Sequence, residues 1–254
     1  MKSEHHHVIF ENEITHWWYV VRRALVHDII KKFVGTRTDL DILDIGSGGG
    51  ALVKELERYG NATGLDTSAE SLAFCKARGV KDIRQGSATA TGMPSLAYDI
   101  VTCLDVLEHL HDDVLAIREV KRVLRHDGTA IIFVPAFMFL WGITDEESLH
   151  YRRYRLPEIE AKFKNEGFTI KHKTYFNTLL FPLIATQRII VRALSLRVTS
   201  EVAMRNRIMD TIFFRIFSFE RTLLRFMSFP FGVSLMLIVT KNSDESVAKS
   251  AGGK

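Results

Sequence analysis

The chain has 254 residues, enough for one α/β domain with an appendage rather than two full domains. Its apolar fraction of 46% is ordinary for a globular protein, and no apolar run reaches the ~18 residues of a membrane span. A formal charge of +4 is too small to argue for nucleic acid, and two isolated cysteines, Cys75 and Cys103, offer neither a disulfide framework nor a CxxC site. A cytoplasmic, reducing setting is the expectation.

The N-terminal stretch MKSEHHHVIFENEI is polar and acidic, without the apolar core of a secretory signal. Its histidine tract at 5–7 resembles a metal-binding run but is assigned no role. Residues 14–33, ITHWWYVVRRALVHDIIKKF, read as a helix whose apolar positions mix with Arg22 and Arg23. LDILDI (40–45) reads as a buried strand and ALVKELERYG (51–60) as a helix ending at Gly60. NATGLD (61–66) is a second strand, SAESLAFCKARG a second helix of this series, and VKDIRQG (80–86) a third strand. YDIVTCLDVL (98–107) holds a fourth. DDVLAIREVKRVLRHDG (112–128) has acids at its start, bases at its end and Gly128 beyond, which predicts a helix with a glycine C-cap. TAIIFVPA is a fifth strand stopped at Pro135. RLPEIEAKFKNEGF then reads as a helix, TIKHKTYF as a strand and GVSLMLIVTK (232–241) as the closing strand. Strands and helices in this alternation build a parallel, doubly wound sheet.

Residues 178–230 interrupt the rhythm. They are helical in pattern, rich in Phe, and carry eight arginines against three acids with no lysine, a formal charge of +5. Apolar faces alternating with arginine predict helices that enclose a greasy acceptor or lie on an anionic membrane, with a helical cap or dimer interface as the alternative. The tail 242–254 is polar and is expected to be disordered. The expected organisation is therefore an N-terminal helical lid (1–35), a core (36–177 and 231–241), a helical insertion (178–230) and a tail.

Between the first strand and its helix, GSGGG places four glycines in five positions, with Asp44 just before them. In an open parallel sheet, ligands bind beyond the carboxyl ends of the strands, and a glycine loop lets them approach backbone and helix N–H groups. With Ala51 the loop also satisfies the dinucleotide fingerprint GxGxx(G/A). Asp44 discriminates: a carboxylate there repels a pyrophosphate and welcomes an ammonium, directly or through water. Asp66, ending the second strand, fits two ribose hydroxyls. The spacing of Asp105, Glu108 and His109 places all three on one face of a helical turn, with His109 as the favoured general base. A cap that merely orders the turn is the plain alternative.

The segments LDIGSGGG, GLDTS, YDIVTCLDVLEHL, REVKRVLRHDGTAIIFVPA and LHYRRYRLPEIEAKFKNEGF, in that order, resemble the class I S-adenosylmethionine-dependent methyltransferases, closest to the branch acting on small molecules and lipids. The resemblance implies a Rossmann-like, seven-stranded, mostly parallel sheet with the last strand antiparallel. It implies cofactor contacts by Asp44, Gly46, Ser47, Gly48, Asp66 and Thr67, with Leu104 packing the adenine or methionine arm. In the QGSATA segment, Ser87 and Ala88 stand near the adenine where relatives often carry an acid. The lid would fold over the cofactor, with Trp18 and Tyr19 walling the pocket and Arg22 meeting a carboxylate. Asp105, Glu108, His109 and His150 occupy places similar to the divalent-metal site of the small-RNA and ubiquinone-pathway O-methyltransferases. Asp105 is one methylene shorter than the glutamate used there. The expected activity is methyl transfer from S-adenosylmethionine to a hydroxyl, less readily a carbon or nitrogen, of a hydrophobic or lipid-linked molecule, by an enzyme that is cytoplasmic or peripheral to a membrane. A nicotinamide-dependent oxidoreductase of the same fold and a non-catalytic cofactor-binding partner protein are the alternatives. No nucleic acid partner is expected.

Overall fold

A computed structural model of the chain describes residues 10, 12–194 and 207–241. The histidine tract at 5–7, the tail 242–254 and Arg197, Glu201 and Arg205 of the insertion lie outside the described residues. Seven strands form one sheet: β1 (Leu40–Ile45), β2 (Gly60–Asp66), β3 (Asp82–Gln85), β4 (Tyr98–Leu104), β5 (Leu124–Pro135), β6 (Phe168–Phe176) and β7 (Ser234–Lys241). Their order is β3-β2-β1-β4-β5-β7-β6. The first five run parallel, and β7 pairs antiparallel with both β5 and β6. The central strands are buried along nearly their whole length because helices cover both faces, which is why they read as continuous apolar runs.

One face is packed by α4 (Asp113–Val123) and α6 (Leu156–Asn165), which bury Ile117, Val120, Ile159 and Phe163. The other is packed by α1 (Trp17–Phe33) and α2 (Ala51–Leu56), with α3 (Ala69–Ala77) beside them at the β3 edge. Chain order reverses between β1 and β4, so the two helix layers diverge there and leave a crevice at the strand ends.

The sequence periodicity places these elements well but misplaces two helix ends. The helix predicted over 112–128 stops at Val123, and Gly128 lies inside β5. Leu124 is drawn out of the helix because it is fully buried and pairs with Tyr98, while Arg125 bonds Asp41 and Asp99 at the amino edge of the sheet. Tertiary pairing thus overrides the cap signal. Similarly, the helix after the glycine loop ends at Leu56 and tightens into a 3-10 turn, and Gly60 opens β2. At Gly60 φ is +145°, and a Cβ would lie 2.1 Å from the Leu40 carbonyl oxygen, so only glycine fits.

The insertion forms α7 (Phe181–Ala193) and α8 (Arg207–Leu223). α8 lies along α1 through aromatic contacts: Trp18, Phe176 and Phe217 form a three-ring cluster with near-parallel planes, at centroid distances of 5.9, 5.3 and 6.2 Å, and Trp17 meets Phe213 and Phe217 edge-on. Arg221 and Arg225 bond Asp28 of α1, whose carboxyl is held below its ordinary range by those two guanidinium groups despite the opposing effect of burial. The lid and the insertion are therefore one packed unit. Phe217→Ala removes one ring of that cluster and should cost about 3–5 kcal/mol in urea unfolding, whereas Phe219→Ala, at an exposed position, should stay within about 0.5 kcal/mol. Equal effects would show that α8 does not pack by this face.

Candidate active site

A cavity of about 800 Å³ opens at the crevice between the carboxyl ends of β1 and β4. It belongs with the larger ligand sites, whose range is roughly 300–1,000 Å³. Its floor is the loop after β1. Gly46 and Gly48 take φ of +75° and +55°, and a Cβ on Gly46 would lie 2.3 Å from Val106, so the bare loop is sterically required. Asp66 faces the cavity from the end of β2. Each of its oxygens accepts one backbone N–H, from Gly48 and Ser68, both at 2.9 Å, which fixes the carboxylate and leaves further lone pairs. Leu65, Thr67, Ser87, Ala88 and Leu104 line the wall beside it. Trp18, Tyr19 and Arg22 enter from α1, and Leu183, Ile184, Met209 and Phe213 from the insertion.

Two residues of the predicted cofactor set do not face this space. Asp44 lies behind the wall, 3% exposed, where it accepts the Thr102 hydroxyl at 2.5 Å. Burial pushes its carboxyl up to about 7, against the Thr102 bond and the nearby Arg22 charge. Its influence on a ligand is therefore through the field rather than through direct contact. Ser47 turns its buried hydroxyl toward Gly64 and Cys75.

The loop N–H groups that a ligand is expected to approach are met by a residue of the chain itself. Glu13 accepts from Gly49 N–H at 2.8 Å and Ala51 N–H at 3.4 Å, and Arg78 bonds the same carboxylate at 2.5 Å. Glu13 is 36 residues from Gly49, and no local spacing signals the pairing. The N-terminus of α2 is thus already neutralised.

The segment after β4 departs from the predicted helical turn. Asp105 takes φ +56°, and only Leu107–His109 wind into a 3-10 turn. Asp105 consequently swings to Arg22 of the lid and forms an ion pair. It does not join Glu108, His109 and His150, whose ligand-capable atoms all lie within 4.8 Å of one another. The segments carrying the three are tied together by the Tyr151 N–H donated to the Glu108 carbonyl at 2.8 Å, and the two imidazoles meet edge-on, 4.5 Å between centroids.

A residue that no motif signals organises this cluster. Asp145, in α5 (Ile143–Glu147), is fully buried and sits 2.8 Å from His150 Nδ1. It also accepts two bonds from Arg153, at 2.8 and 2.9 Å, and the Gly142 N–H at 2.8 Å. Burial alone would raise its carboxyl, but the His150 bond, Arg153 and the Gly142 N–H together hold it at about 2. An ionised Asp145 can only accept, so His150 Nδ1 donates to it, and in the neutral ring Nε2 is the nitrogen left able to accept a proton.

Polar atoms without partners mark where a ligand is needed. Arg22 Nε, both Glu108 carboxylate oxygens, Thr144 Oγ1 and Asn177 Oδ1 are buried without a hydrogen bond among the described residues, and all four residues line this cavity. Buried polar groups are rarely left so. Burial, with Asp105 adding its charge, pushes the Glu108 carboxyl well above the ordinary range. Backbone strain concentrates here as well: Asp105, Leu149 and Asn177 are non-glycine residues of positive φ on the cavity wall. The residues present suit an amino-acid nucleoside. Asp66 would hold the ribose, Leu65, Ala88 and Leu104 the base, and Arg22 the carboxylate.

Residues 43–132 match the family model described as a methyltransferase domain. The chain is similar to the uncharacterized methyltransferase YcgJ of Bacillus subtilis, with 32% identity over 48% of this chain and 50% of that protein. Against the crystal structure of YcgJ the TM-score is 0.55 at 20% identity, covering 86% of this chain and all of that one. It is also similar to a ubiquinone biosynthesis O-methyltransferase of Pseudomonas aeruginosa, 35% identical over 36% of this chain and 42% of the relative. Phosphoethanolamine N-methyltransferase 2 of Haemonchus contortus, solved with S-adenosyl-L-methionine, shares the fold, with a TM-score of 0.57 at 17% identity over 86% of this chain and 53% of that one. The chain spans about half the length of the curated relatives it matches.

The buried carboxyls predict a pH dependence of stability. Asp44 binds a proton more tightly folded than unfolded, so its contribution is complete below its ordinary value of 3.8 and is lost as pH rises through about 7. Urea unfolding of the ligand-free protein should show stability falling across that window, and Asp44→Asn should flatten the fall. An unchanged slope in the variant would show that Asp44 is not desolvated.

Proposed function

We propose that this chain is a class I S-adenosylmethionine-dependent methyltransferase that transfers the methyl group to a hydroxyl of a hydrophobic small molecule or lipid-linked intermediate, a reading supported by the methyltransferase-domain match over residues 43–132 and by the shared fold. The observation that carries the reading is the Asp145–His150 pair, whose imidazole lines the same cavity as Asp66 and the glycine loop. Bound against Asp66 and the glycine loop, S-adenosylmethionine supplies an electrophilic methyl on a sulfonium. Displacement at that carbon needs alignment above all, and a hydroxyl acceptor must also lose its proton.

Asp145 fixes the His150 ring and its tautomer, so that Nε2 is the atom able to accept the hydroxyl proton. His150, oriented by Asp145, is the residue assigned to this work, where the DVLEH motif favours His109. The imidazolium that forms is stabilised by the same carboxylate. On the acceptor side, Trp17, Trp18, Leu183, Ile184 and Phe213 present an apolar and aromatic wall that excludes water and selects a greasy partner. The partial likeness to ubiquinone-pathway O-methyltransferases supports a hydroxyl acceptor.

The nicotinamide reading meets an added obstacle. A dinucleotide places its pyrophosphate on the first helix N-terminus, and Glu13 puts a carboxylate there.

The mutual approach of Glu108, His109 and His150 favours a second reading, in which the three hold a divalent cation. A carboxylate and two imidazoles suit such an ion, which would polarise the acceptor hydroxyl. Arg22 withdraws Asp105 from the set.

Transfer of labelled methyl from S-adenosylmethionine into a panel of phenols, catechols and a lipid extract tests the proposal. His150→Ala and His150→Gln should each lower kcat by roughly 10²–10⁴ while leaving cofactor affinity unchanged. Wild-type turnover in both variants, or label found only on amines, would refute the assignment, and absence of any transfer would favour a binding protein without catalysis. If a chelator leaves the rate untouched, the metal reading fails and the proton-transfer reading stands.

A further inference from the structure

The exposed apolar side chains of this protein are concentrated on one part of the fold. Among the described residues, thirteen of the twenty large exposed ones lie between residues 179 and 231. Such concentration marks an interaction surface, whereas scattered exposed apolar residues do not.

α8 shows how the surface is built. Phe213, Phe217, Glu220 and Leu224 recur at three- and four-residue intervals and face α1 and the sheet. Ile208, Ile212, Arg215 and Phe219 recur at the same intervals on the opposite side of the helix. Ile208 is 72% and Phe219 60% exposed. The helix therefore has two apolar stripes, and the fold covers only one. On α7, Ile189 and Ile190 are likewise exposed, as is Leu194 just after it, and Phe226, just beyond α8, is 85% exposed.

The charges around these stripes have one sign. Among the described residues of the insertion, the exposed charged side chains are Arg192, Arg207, Arg215 and Arg225, while Asp210 is half-buried and Glu220 is buried. Two copies meeting through this surface would set arginine against arginine, since a two-fold interface pairs a patch with itself. An anionic partner is complementary. No described helix is long and apolar enough to cross a membrane. A helix with apolar residues and arginine sharing its outer face is suited to lying in the headgroup plane, with the arginine stems buried and their heads at phosphate.

We propose that the outer faces of α7 and α8 seat on the surface of an anionic lipid bilayer. The inner faces of the same two helices, through Leu183, Ile184, Met209 and Phe213, line the cavity. If the acceptor is greasy, as proposed above, it passes from lipid to site along one pair of helices. The docking itself does not depend on that reading.

Flotation of the full chain with vesicles tests the docking without any measurement of activity. The probes are phosphatidylcholine alone and phosphatidylcholine mixed with phosphatidylglycerol, each at low and at physiological salt. Binding is expected to the mixed vesicles and to weaken with salt. Arg215→Glu, and separately the pair Ile208→Ser with Phe219→Ser, should each reduce it about tenfold with the melting temperature unchanged. None of these side chains lines the cavity. Absence of binding at low salt, or equal binding by the variants, overturns the proposal. So does a dimer, seen by light scattering, that the Ile208 and Phe219 changes dissociate while vesicles capture nothing.

Discussion

Parallel strands that end at one level bring the residues after them together, and here those residues are carboxylates in a poorly solvated crevice. Asp44 and Asp66 come from β1 and β2, and Asp105 and Glu108 from the turn after β4, three strands adjacent in the sheet. Desolvation above all, with repulsion from Glu13 and Asp66 on the one and from Asp105 on the other, raises the Asp44 and Glu108 carboxyls. The same effects explain why the lid contributes a cation, Arg22, at the point where Asp105 turns outward. A ligand carrying positive charge relieves the same strain, and one carrying a diphosphate adds to it.

The remaining elements divide the work around that crevice. Glu13, itself on the cavity wall, and Arg78 brace the glycine loop, while Gly46 and Gly48 face the cavity. Asp145 and Arg153 fix His150 from the far side, with both charges buried and each satisfied by the other and by nearby hydrogen bonds. The lid and the insertion roof the space through one aromatic cluster. Rigidity comes from the sheet and these pairs, and selectivity for the acceptor comes from the roof.

What the sequence discloses is what depends on chain-local geometry. The βαβ unit fixes the ends of β1 and β2 side by side, so Gly46, Gly48 and Asp66 are legible from spacing alone and line the cavity. Asp44 is legible as a charge beside the loop, but its depth behind the wall depends on the Thr102 hydroxyl of the neighbouring strand. Asp105 reads as part of a helical face and is displaced by its left-handed backbone, which no residue type announces. Glu13 and Asp145 are missed for a different reason. Their roles arise from contacts with backbone N–H groups and with Arg78 and Arg153, which only the folded chain brings within reach. The end of α4 at Val123 similarly reflects the pull of the sheet on Leu124, stronger than the cap signal at Gly128.

The central claim is that an acidic crevice beneath bare backbone is matched to a cationic amino-acid nucleoside. Isothermal titration of the purified chain with S-adenosylmethionine and with NAD at neutral pH addresses it most directly. The account predicts saturable binding of the sulfonium compound and none of the dinucleotide, with Asp66→Ala abolishing the former. Tight binding of NAD, with no heat from S-adenosylmethionine, would contradict it.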